Sequence, residues 1–204
     1  MAGSDVQAVF ITADTNAVDA ASVAAAARPN TDFTIDGTDT DGGVATFAAG
    51  RIITCTTAGT GDNGKTVTLT GTDVNGDSQT EVITLTGSAT AHAGSKYFKT
   101  ITAASASAQP AANVSIGMAA GSADVIFAGR SRLKGAYIVN SGTAGTLDFL
   151  TTSPTGTSVM KLGTVASATV TRDVHIPEEG VLFTDGVYVQ YTVATFTTIT
   201  AFHA

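Results

Sequence analysis

Apolar and polar residues alternate in short runs along most of the chain, and the clearest pair of runs predicts a β-hairpin. In Lys65–Thr72, Val67 and Leu69 fall on one face and threonines on the other, as a strand with one buried face requires. Ser78–Thr86 repeats the alternation after a short polar link. The Asn75-Gly76 pair in that link predicts a primed turn with positive φ at both residues.

Similar runs recur roughly every 8–12 residues from residue 32 onward, with Gly, Asn and Asp between them. This spacing is typical of an all-β sandwich or barrel. The alternation lapses in the small residues Ala119–Ser122, which predicts a domain boundary there. The expected fold is all-β, with two small antiparallel β-sandwich or jelly-roll-like domains at residues 32–121 and 122–204.

Residues 1–31 are expected to form an extended N-terminal arm, with one short strand over Val6–Ile11. The segment is acidic and rich in Ala, so its side chains offer little apolar area for a core of their own. Such an arm gains order by burying apolar residues on a neighbouring subunit. A terminus that stays flexible is the alternative. The side chains expected to contact the partner are Val6, Val9, Phe10, Ile11, Val18 and Val23.

A second candidate contact is basic. Arg130, Arg132 and Lys134 alternate along one predicted strand, so they are expected to project from the same face as a small positive stripe. On a chain with a net charge of −7, this stripe is expected to be a solvated edge or a salt-bridge partner for acidic residues of a neighbouring subunit. Phosphate binding is the alternative.

Composition and charge exclude several function classes. The 204 residues are 43% hydrophobic, but no apolar run approaches the ~20 residues that cross a bilayer, so no membrane partner is expected. The negative net charge supplies no field that would attract a phosphate backbone, so no nucleic-acid partner is expected. A Thr- and Gly-rich chain without Trp argues against a helical enzyme.

Cysteine usage and the start of the chain bear on the compartment. Cys55 is the single cysteine, which excludes an intramolecular disulfide, and its position predicts a small buried apolar side chain. The first residues lack the basic and apolar regions of a secretory signal, which favours assembly in a cytosol.

The candidate catalytic bases are the three histidines, His92, His175 and His203. None has a neighbouring nucleophile motif or a second histidine at metal-ligand spacing. The sequence also lacks a Gly-rich phosphate loop that leads into a helix. We therefore predict no catalytic residues, no cofactor and no enzymatic activity.

Acidic loops raise the question of calcium, because hard cations prefer several carboxylate oxygens from one short loop. Asp36, Asp39 and Asp41 have the wrong spacing for an EF-hand, and no Glu completes the set. Asp73, Asn75 and Asp77 begin with the right spacing but are explained by the hairpin link. No metal site is predicted.

Two parts of the sequence resemble β-domains of tailed-bacteriophage virion proteins. The first resemblance is carried by Arg51–Thr54, Gly64–Asp77, Glu81–Gly87 and Lys96–Ile101. The second half is similar to another small phage module in Leu133–Asn140, Gly145–Phe149, Ile176–Phe183 and Gly186–Val189. Together they cover most of residues 50–204, and the resemblance brings no catalytic residues.

The resemblance implies a capsid decoration (cement) protein, a non-enzymatic virion component on the capsid surface, assembled in the host cytoplasm. Its implied partners are the major capsid protein and itself, as a homotrimer. A head–tail collar, tail or fibre subunit is the first alternative. A secreted glycan-binding β-sandwich module is the second, and the absence of Trp and the presence of only three Glu count against it.

Overall fold

The computed structural model of the chain describes residues 6–12, 19–57, 60–86, 91–118, 123–153, 155–166, 169–177, 179–191 and 195–204. Within these ranges the chain forms sixteen strands and a short 3₁₀ turn, so the all-β prediction is confirmed. The strands are β1 Gln7–Thr12, β2 Ala24–Ala27, β3 Thr40–Asp41, β4 Val44–Thr57, β5 Thr66–Thr72, β6 Ser78–Thr84, β7 Ala91–Ala106, β8 Val114–Met118, β9 Ala123–Phe127, β10 Ser131–Asn140, β11 Gly145–Thr151, β12 Thr157–Thr164, β13 Thr171–His175, β14 Val181–Phe183, β15 Val187–Tyr191 and β16 Phe196–His203, and the 3₁₀ turn is Thr60–Asp62.

The chain divides into two compact units, one of which is inserted into the other. Residues 18–120 form the inserted unit, and residues 1–17 together with 121–204 form the split unit. The division after residue 120 lies one residue from the boundary expected at 121/122.

The predicted N-terminal arm at residues 1–31 is wrong, because its described residues belong to the two units. β1 pairs antiparallel with β16 of the split unit, from Gln7 opposite His203 to Thr12 opposite Thr198. β2 pairs with β8 of the inserted unit. Ile11 and Val23 of the segment are therefore buried in cores of their own chain rather than waiting for a neighbouring subunit.

The inserted unit is an antiparallel sheet with the strand order β2-β8-β4-β7-β5-β6, and β3 pairs with β4. Register shifts interrupt the long pairing of β4 with β7, and such bulges bend a sheet. Buried residues from both ends of this order belong to one hydrophobic cluster, for example Val67 and Ile83 with Ile53 and Ile116. The sheet therefore folds around a single core.

The predicted hairpin is confirmed as a pairing of β5 with β6, from Thr66 opposite Thr84 to Thr72 opposite Ser78. The predicted turn type is wrong. Gly76 has a φ of 86°, whereas Asn75 is not among the described residues with positive φ. The Asp73 side chain accepts the backbone N–H groups of Asn75 and Asp77, so it stabilises a longer link with only one left-handed residue.

The split unit contains two sheets, one with the order β1-β16-β10-β13, to which β14 adds beside β10, and one with the order β12-β11-β15-β9. Each sheet contributes fully buried apolar side chains, such as Ile138 from the first and Phe149 from the second. Phe127 of β9 packs on His203 of β16 with ring centroids 5.3 Å apart. These contacts give the split unit the layered packing of a β-sandwich.

Candidate interaction surface

Two strands of the split unit, β1 and β10, each place an exposed aromatic side chain on the solvent face of one sheet, here called the outer face. Phe10 of β1 lies opposite Thr200 of β16, which lies opposite Tyr137 of β10. Phe10 is 54% exposed and Tyr137 is 37% exposed. Ile11 and Ile138, the next residues along these strands, are buried in the core. An aromatic residue thus stands in solvent on each side of β16.

A groove of about 380 Å³ lies on the same sheet. Gly135 forms part of its wall, and a Cβ there would come within 2.7 Å of the carbonyl oxygen of Val174, so only glycine allows β10 and β13 to approach this closely. The residues that line the groove are Val6, Lys134, Gly135, Asp173, Val174, His175 and Phe202. It therefore brings together Val6 and Lys134, two residues that the sequence predicted separately as partner contacts.

The charges of the groove lie toward one side of the outer face. Asp173 and His175 are exposed on β13, and Lys134 belongs to the neighbouring β10. Phe202 and Val6 supply the apolar part. An apolar centre bordered by a few charges of both signs is the usual arrangement of a protein-binding surface.

The six apolar residues predicted as arm contacts do not act together. Val6 and Phe10 are exposed, and Val9 is half-buried. Ile11 is buried in the split unit and Val23 in the inserted unit, so neither reaches a partner, and this part of the prediction is wrong. Val18 lies outside the described residues. The alternation of a strand explains the result, because every second residue of β1 faces its own core.

The predicted basic stripe is also wrong. Arg130 is exposed but precedes the start of β10 at Ser131. Arg132 is held by Glu179, whose backbone oxygen accepts a hydrogen bond of 3.2 Å from its guanidinium. A register shift between Leu133 and Gly135 sets Lys134 apart at the groove. The irregular pairing of β10 breaks the simple alternation on which the stripe depended.

The three histidines belong to three different strands. His92 is on β7 of the inserted unit, and His175 is on the outer face of the split unit. His203 is buried, and burial lowers its pKa. Cys55 is buried, as predicted, and burial with the nearby Glu81 carboxylate raises the pKa of its thiol to about 12. A thiol with this pKa is not a nucleophile at neutral pH.

Two buried carboxylates of the inserted unit accept hydrogen bonds from other segments of that unit. Asp62 accepts hydrogen bonds from Thr57, Lys65 and the backbone of Ala111. One oxygen of Glu81 accepts the backbone N–H and hydroxyl of Ser95 and the N–H of the residue that follows it. Each carboxylate therefore connects segments that are distant in sequence.

The acidic loop also has a structural role. Asp36 Oδ1 accepts the backbone N–H of Ala25 at 3.0 Å. Burial raises the pKa of Asp39, with a further increase from Asp19 and an opposing effect of Arg51. Across the described ranges, no three His, Cys, Asp or Glu side chains are grouped closely enough to hold a metal ion.

Three outer-face residues were missed by sequence reasoning: Tyr137, Phe202 and Asp173. Alternation identified the strand that carries Tyr137, but which of its faces packs inside depends on the second sheet.

Comparison of the chain with protein-family models, curated proteins and solved structures finds no match. Among the described residues, no helix has the length and apolar character to span a membrane.

Proposed function

We propose that the chain is a non-enzymatic structural protein of a tailed-phage virion that binds the outside of the capsid through the outer face of its split unit. The resemblance to phage β-modules supports the virion assignment. The outer face supplies a surface through which such a protein can attach. The partner in this proposal is the major capsid protein.

The observation that carries the proposal is the exposed row of Phe10, Thr200 and Tyr137 beside the groove. Aromatic residues on a sheet are rigid and contribute large apolar areas, and Tyr is enriched among the residues that dominate binding energy. Lys134 and Asp173 add charges of both signs at one side of the face. Such charges determine the orientation of a bound partner more than they strengthen its binding. Exposed aromatic residues gathered on one face of a sheet are typical of interaction sites.

Cosedimentation with capsids that lack the protein tests the proposal. The wild type is expected to sediment with the capsids, and Tyr137→Asp is expected to weaken binding by roughly 10- to 30-fold, the effect of losing one dominant contact. The matched control is Val82→Asp, because Val82 is 59% exposed on β6 of the inserted unit and is not part of the outer face. Equal binding by the wild type and Tyr137→Asp would contradict the proposed surface.

Copy number in purified particles separates decoration from the alternative virion roles. A decoration protein is expected at on the order of hundreds of copies, because it follows the symmetry of the whole shell. A collar or tail subunit would be present at about six to a few dozen copies, as closed rings dictate. The resemblance implies a homotrimer, and light scattering of the free protein distinguishes a trimer from a dimer or a monomer.

A further inference from the structure

β1 is an edge strand without the features that normally protect such an edge. It pairs with β16 on one side, and no other strand of the described chain pairs with its opposite side. Edge strands usually carry charges, Pro or bulges that prevent pairing with another chain. The sequence of β1, QAVFIT, contains neither a charged residue nor Pro, and its register with β16 is unbroken.

The other edges of five or more residues in the described chain do carry charges. β12 contains Lys161, which pairs with Asp148 at 3.0 Å. β13 contains Arg172 and Asp173, and β6 contains the buried Glu81. Pairing β1 with β12 or β13 would bring exposed charges against an apolar strand and remove water from them, and on β6 only Val82 and Ile83 are apolar. The edge of this chain that suits β1 best is therefore another β1.

We propose that two copies of the chain associate by antiparallel pairing of β1 with β1, centred on Val9. In this register residues 6–12 of one copy meet residues 12–6 of the other, so Ala8 of each copy lies opposite Phe10 of its partner. A small residue beside a large one leaves space for each aromatic ring. Residues that face outward on one copy stay outward on the other, because the residue numbers of every pair sum to an even number.

The consequence is a continuous sheet that joins the β1-β16-β10-β13 order of both copies across a twofold axis. Such a contact is isologous, so both strands at the seam have the same sequence. The net charge of −7 lies outside β1, which carries none. The two outer faces become one surface with both Phe10 rings near its centre.

The mass of the free protein in solution tests the pairing. A dimer is expected at micromolar concentration, and Phe10→Lys is expected to convert it to a monomer with an unchanged far-UV spectrum, because Phe10 is half exposed. Val82→Lys, at another exposed strand position, is expected to leave the dimer intact. A monomeric or trimeric wild type, or a dimer that Phe10→Lys leaves intact, would overturn the pairing. The oligomeric state of the free protein is measured independently of capsid binding, which the Tyr137→Asp variant tests.

Cysteine cross-linking tests the register even if Phe10→Lys fails to fold. Val9→Cys places two thiols directly opposite each other, within the range of Cα separations that a disulfide spans. Phe10→Cys is the matched control, because its two copies would lie too far apart in this register. The buried Cys55 does not compete. Disulfide-linked dimers are expected from Val9→Cys and not from Phe10→Cys. The reverse result, or no linked dimer from either variant, would overturn the register.

Discussion

Thr57 Oγ1 donates a hydrogen bond of 2.8 Å to Asp62 Oδ2, and both side chains are buried. The other oxygen of Asp62 accepts a hydrogen bond of 3.0 Å from Lys65 and a further one from the backbone of Ala111. One carboxylate thus connects the end of β4, the start of the β5–β6 hairpin and the segment that leads into β8.

Asp62→Asn is expected to destabilise the inserted unit by about 2–3 kcal/mol, because a hydrogen bond to a charged group is worth roughly 1.5–3 kcal/mol and a buried donor would lose its partner. Urea unfolding of the whole chain measures the change. Asp77→Asn is the control, because Asp77 is exposed in the hairpin link, and its effect should stay within about 0.5 kcal/mol. A similar change for both variants would contradict the role of Asp62.

Acid unfolding should depend on the same residue. Burial alone would raise the pKa of Asp62 above its ordinary 3.8, but hydrogen bonds from Ala111, Thr57 and Lys65 outweigh burial and lower it to about 2. Because the pKa is lower in the folded state, the stability that Asp62 contributes is complete above about pH 4 and is lost as the pH falls through 2. The stability difference between wild type and Asp62→Asn should therefore shrink between pH 5 and pH 2. A constant difference over this range would refute the assignment.

His203 should make the split unit sensitive to mildly acidic pH. Burial against Phe127 lowers the pKa of His203 below its ordinary 6.5, and Nδ1 has no hydrogen-bond partner in the described structure. The unfolded chain therefore binds the proton more readily, so the stability due to neutral His203 is complete above about pH 6.5 and declines as the pH falls. His203→Phe should flatten the melting temperature between pH 8 and pH 5. His175→Gln, at an exposed position, should keep the wild-type slope, and an equally steep slope for His203→Phe would exclude this origin.

Gly117 of β8 should not tolerate a side chain. A Cβ there would overlap the backbone carbonyl of Asp19, the same oxygen that accepts the N–H of Met118 at 2.8 Å. Gly117→Ala is expected to cost about 3 kcal/mol or more, because backbone on both sides must move. Gly163→Ala has open space around the added atom and should change the free energy of unfolding by less than about 0.5 kcal/mol. Thermal melts of the two variants compare these costs directly.

Local alternation was enough to predict the all-β fold and the hairpin, because a hairpin pairs segments that are close in sequence. It could not predict the place of β1, because the partner of Gln7 is His203, close to the opposite end of the sequence. When the partner strand of a segment is distant in sequence, the local pattern cannot distinguish the segment from an extended arm. Only the long-range pairing shows that it completes a sheet.

The candidate surface was predictable only in part, for the same reason. Val6, Phe10 and Lys134 were identified by residue type, and all three lie on the sheet that carries the outer face. The exposure of Tyr137 depends on which side of β10 meets the second sheet, which no local pattern records. The displacement of Lys134 from Arg132 depends on a bulge, and a bulge has no reliable sequence signal.

The insertion of residues 18–120 also determines the order in which the chain acquires structure during translation. All strands of the inserted unit lie in one continuous segment, so its sheet can close while later residues are still being added. β1 is translated before that segment, whereas β16 follows only after β9 to β15. During this interval β1 is an uncharged strand with neither of its edges paired. Nascent chains on neighbouring ribosomes are therefore most susceptible to mispairing at Gln7–Thr12, well before the finished sandwich exists.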